Sequence, residues 1–70
     1  LVPPTIDHAT TFAFRTQYTY DYGVSGTRHF YSAILDDNIY ITVRGQLDSD
    51  AESEQALPEL LVKAVTAVRG

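Results

Sequence analysis

Residues 11–30, TFAFRTQYTYDYGVSGTRHF, decide how this chain folds. Phe12, Phe14, Thr16, Tyr18, Tyr20 and Tyr22 occupy alternate positions, against Thr11, Ala13, Arg15, Gln17, Thr19 and Asp21. A period of two with one aromatic and one polar set describes a half-buried strand over 11–22. GVSG (23–26) interrupts it, and TRHFYSAIL (27–35) reads as a second strand. The length of the turn between them fixes which side chains share a face, because a slip of one residue sends a whole set to the other side. A four-residue loop, 23–26, sets Tyr20 opposite His29 and turns the aromatic stripe away from the core. A three-residue loop, 24–26, sets Tyr20 opposite Phe30 and brings the stripe inside. The three-residue form needs a left-handed residue in third place, where Gly26 stands. The expectation is therefore a stripe mainly in the core, with Phe12 and Phe14 deep and the phenols of Tyr20 and Tyr22 near a wet rim.

Working outward, Asp36, Asp37 and Asn38 mark a second turn, and NIYITVR (38–44) a third strand. An even-numbered loop here groups Phe30 and Ile34 with Ile39, Ile41 and Val43 as an apolar surface. The opposite face then carries Arg15, Gln17, Thr19, His29, Thr42 and Arg44, with Tyr31, Leu35 and Tyr40 as its apolar exceptions. From residue 57 the spacing becomes helical: Leu57, Leu60, Leu61, Ala64, Val65 and Val68 recur at three and four. Pro58 suits a first turn, so the helix is expected from about there to Arg69, with Gly70 as terminator. Ser49 and Glu52 have capping-box spacing and predict a separate helical turn ahead of it. The predicted fold is α+β, a three-stranded antiparallel meander with one C-terminal helix packed on one face. Residues 1–9, with paired prolines, read as an extended N-terminal arm or linker, and 10–70 as a single small domain.

Composition narrows the functional classes. The chain has 70 residues, no cysteine and a formal charge of −4, from five Lys and Arg against nine Asp and Glu. Disulfide staples and thiolate metal sites are excluded, and so small a core predicts an oligomer or a larger sheet of which this is one part. The basic residues are scattered, so a nucleic-acid partner is not expected. No apolar run has the length of a membrane span.

Few residues suggest chemistry. His8 falls in the arm, His29 stands mid-strand without a nucleophile beside it, and GVSGT lacks the spacing of a hydrolase elbow. Asp48, Asp50, Glu52, Glu54 and Glu59 match the ligand positions of a calcium loop, but Ser53 replaces its turn glycine and Pro58 is misplaced. Acidic residues ahead of a helix complement its dipole without any metal. No catalytic set, metal site or cofactor is predicted. The candidate binding residues are Tyr18, Tyr20 and Tyr22 at the hairpin rim, and Tyr31, Tyr40 and Arg44 on the second face of the sheet. A protein partner or self-association is expected there, and a rim of phenols also suits a small-molecule ligand.

Residues 27–69 comprise TRHFYSAILDDNIYITVRG, an acidic spacer, and the helix ALPELLVKAVTAVRG. This layout resembles the closing portion of Mog1/PsbP-like domains. It is also similar to the end of small actinobacterial lipoproteins and extracytoplasmic sensor domains. The resemblance implies a binding or assembly module in an extracytoplasmic or cell-envelope setting, and it transfers no functional residue. Sequence reasoning thus arrives at a non-catalytic binding or protein-interaction domain. Its alternative is a fragment of an enzyme whose catalytic residues lie mostly outside this chain.

Overall fold

In a computed structural model that describes residues 1–36 and 38–70, β1 (Ala9–Thr19), β2 (Ser25–Leu35) and β3 (Ile39–Gly45) form an antiparallel sheet in the order β1-β2-β3. A helix, α1 (Asp50–Arg69), packs on β2 and β3. The α+β meander with a C-terminal helix is as the sequence predicts. Both β1 and β3 leave an outer edge unpaired among the described residues.

The turns differ from expectation. Thr19 pairs with Ser25, and the Tyr20 amide donates to the Val24 carbonyl at 2.7 Å, so the loop is Asp21, Tyr22 and Gly23. It does contain three residues, with a left-handed glycine in third place, but that glycine is Gly23 at φ 79°. Gly26 lies within β2 directly opposite Tyr18. A Cβ on Gly26 would collide with the Tyr18 hydroxyl and with the Gln46 amide. Its lack of a side chain, rather than its backbone freedom, is what the site uses.

The second turn is the larger correction. Leu35 pairs with Ile39, leaving the odd-numbered connection 36–38, of which Asp37 lies outside the described residues. Asp36 adopts φ 49°, a left-handed conformation that aspartate tolerates better than most residues. Odd positions of β2 therefore share a face with odd positions of β3, and through the first hairpin with odd positions of β1.

Tyr31, Ala33 and Leu35 meet Leu57, Leu61 and Val65 of α1 in the core, with Ile6, Ala9, Ala13, Ile41 and Val43 around them. Tyr31 is 1% exposed, so it belongs to the core and not to an outer patch with Tyr40. Leu35 and His29 are likewise on the helix side. The aromatic stripe faces the other way. Ala33, with no exposed surface, lets α1 approach β2 closely on the odd side, while Ala9 and Ala13 of β1 pack at the margin of the core.

The helix is also longer than expected. Ser49 caps it, accepting from the Glu52 amide at 3.1 Å, and the capped turn runs on without a break through Pro58. Proline leaves the Glu54 carbonyl without its helical donor, a cost of about 3 kcal/mol in a helix interior. Tertiary contacts hold the first half in place: Leu57 is buried, and buried Ser53 accepts from the Leu47 amide at 3.1 Å and donates to the Ser49 carbonyl at 3.2 Å. The arm also lies against the domain. Ile6 packs on the core, Thr11 donates to the Pro4 carbonyl at 2.7 Å, and Arg69 to the His8 carbonyl at 2.9 Å.

Paired truncations test this orientation. Tyr31→Ala is expected to destabilise by about 3–5 kcal/mol, as for a buried aromatic, and Phe14→Ala by less than about 1.5 kcal/mol. Urea unfolding measures both, and a reversed order would place the stripe inside.

Candidate functional site

The helix-free face is built from even positions: Phe12, Phe14 and Tyr18 of β1, Arg28, Phe30 and Ile34 of β2, and Tyr40, Thr42 and Arg44 of β3. Phe14 and Phe30 are a cross-strand pair whose rings stack at 4.6 Å and 7°. Phe12 reaches toward Tyr40, their centroids 6.0 Å apart. The strand between them carries Ser32 at this level, small enough to pass beneath both rings. Ser32 has no exposed surface, and its hydroxyl lies 3.1 Å from that of Thr42 and accepts from Tyr40 at 3.4 Å. The Ser32 hydroxyl, and then that of Thr42, can turn to donate to the phenolate, which lowers the Tyr40 pKa against an opposing effect of burial.

At the hairpin end, Tyr18 lies across Gly26 and donates to Gln46 Oε1 at 2.6 Å. The Arg28 guanidinium sits 5.1 Å from the Tyr18 ring centroid, a cation–π distance, and Tyr20 tilts against the same ring at 5.3 Å. Arg28 and Arg44, with Gly45 and Gln46, line a recess of about 280 Å³.

Of the residues singled out from sequence, Tyr18, Tyr20, Tyr40 and Arg44 lie on the helix-free side, with Tyr18 and Tyr20 at the hairpin end, Arg44 opposite Phe30, and Tyr40 at the far end opposite Ile34. Tyr22 stands apart on the hairpin tip, 94% exposed, and Tyr31 lies on the other side of the sheet. Sequence reasoning missed Phe12, Phe14, Phe30 and Arg28 as surface residues. Their even numbering was legible throughout; the side it pointed to was not. Phe14 is 45% and Tyr40 60% exposed.

The helix side holds a second polar cluster. His29 has no exposed surface, and neither ring nitrogen has a hydrogen-bond partner. Its nearest carboxylate, Glu54, stands at 3.8 Å, beyond hydrogen-bond length, and is shared with Arg15 at 3.7 Å. Tyr31 and Glu54 line a recess of about 330 Å³ with Leu1 and Val2 of the arm. Burial, and then the Glu54 charge, raise the Tyr31 pKa. General acid–base work requires a nitrogen that touches substrate, and both nitrogens of His29 are sealed here.

No group of three or more metal-ligating side chains exists among the described residues, and no described helix is long and apolar enough to cross a membrane. The comparisons with known proteins find no matching family model, no matching curated protein and no matching solved structure.

Two measurements probe this cluster. An orphaned buried imidazole costs about 1–3 kcal/mol, so His29→Leu is expected to raise unfolding stability by an amount in that range; destabilisation in urea would show that the ring is satisfied in solution. Native Tyr31 holds its proton where the unfolded chain, with the ordinary value of 10.0, has released it. Its contribution to stability is complete below about pH 10 and is lost as pH rises through the raised native value. Tyr31→Phe should flatten that alkaline decline in urea midpoints, and an unchanged decline would assign it to other groups.

Proposed function

We propose that this chain is a non-catalytic interaction module whose helix-free sheet face is a docking surface for a protein. The observation that carries this reading is the exposure of stacked aromatics on a continuous face while the core is confined to the other side. Exposed aromatics with arginine are also the composition enriched at interface centres.

Site-specific photocrosslinking tests the reading. A photoreactive phenylalanine analogue at position 14 or 40, in cells that make the protein naturally, is expected to form discrete adducts. The same analogue at Glu59, on the exposed side of α1, should form far fewer. Equal labelling from both faces, or none from positions 14 and 40, would reject this surface as the interface.

A further inference from the structure

Charge is distributed unevenly over this molecule. All nine carboxylates lie in the arm, the turns, the β3–α1 connection or the helix. The helix-free face carries none on its strands, yet it holds two of the five cationic side chains, Arg28 and Arg44. Among the described residues neither makes an ion pair; the pairs present join Arg15 and His29 to Glu54 on the other side. Arg44 stands opposite Phe30, and Arg28 is two residues along β2, so the two are diagonal neighbours, about 7–8 Å apart at their origins. Both line one recess with Gln46, whose side chain is tied to Tyr18, and the Tyr18 ring in turn lies beneath Arg28.

We infer that the docking partner is an acidic protein segment, with apolar side chains on the Phe14–Phe30 stack and a carboxylate in the recess between Arg28 and Arg44. This inference rests on the docking-surface reading above. Desolvating a guanidinium is costly unless an anion meets it, and this face has no anion of its own. A second copy packed face to face would bring four guanidinium groups together without a carboxylate among them. A partner that supplies the carboxylate removes that cost and gains bidentate hydrogen bonds. Single-stranded nucleic acid also combines stacking groups with anions, but two arginines in a chain of net charge −4 provide little counterion release.

The experiment is a selection of short random peptides displayed on phage against the full 70-residue chain, followed by affinities of the synthetic peptides. The expected winners combine Asp or Glu with Leu or Phe. They should lose about tenfold or more in affinity for Arg28→Gln/Arg44→Gln, and all measurable binding to Phe14→Ser/Tyr40→Ser. Winners without acidic residues, or acidic winners indifferent to the arginine changes, overturn this inference. If they still require Phe14 and Tyr40, the docking surface itself survives. Peptides indifferent to both double variants, or no enrichment at all, overturn both. An oligothymidylate probe bound more tightly than any peptide through the same arginines would replace the carboxylate with phosphate. A dimer in sedimentation that Phe14→Ser dissolves would make the occupant a second copy. Either result overturns the proposal.

Discussion

The parity of the two turns governs this molecule. With Thr19 opposite Ser25 and Leu35 opposite Ile39, odd-numbered side chains of all three strands project to one side. That side carries Ala33, Leu35, Ile41 and Val43 beside Tyr31, and α1 lies against it on β2 and β3. Tyr31 enters the core, His29 is sealed beneath α1, and the row of rings is left without cover. A change of one residue in either connection would exchange the faces of a strand and dismantle core and open surface together.

The first half of α1 is where local preference and packing disagree most. Pro58 withdraws a donor from the Glu54 carbonyl, and His29 lies beneath the same turn without a partner for either nitrogen. Helix propensity alone would begin the helix at the proline. The capped Ser49, the buried Ser53 hydroxyl and the burial of Leu57 carry it back to Asp50. The connection from β3 is thereby short and fixed, and Gln46, at its start, is held where Tyr18 can reach it.

Strand and helix identities were legible because they depend on patterns that one residue type repeats along an element. Phe12 to Tyr22 shows the period of two, and Leu57 to Val68 the spacing of three and four. The facing of the sheet was not legible, because it depends on single residues with more than one use. Gly23 and Gly26 both suit a left-handed turn position; only the cross-strand approach of Tyr18 reveals that Gly26 is needed for its missing side chain. Asp36 takes a left-handed conformation without being glycine, so nothing in the residue type announces the odd connection. The candidate site inherited this ambiguity. Tyr18, Tyr20, Tyr40 and Arg44 share one side of the sheet because their numbers are all even, while Tyr31, chosen as an exception to a polar face, shares parity with the core.

The sheet precedes α1 in chain order, and half of the buried apolar residues come from the helix. Without α1 the three strands would be a slab apolar on both faces and open at both edges. Docking quenches one face. The other stays exposed in the finished protein, bordered by the charged turns and helix. Association with a partner would then act as the last stage of collapse, carried out by a second chain.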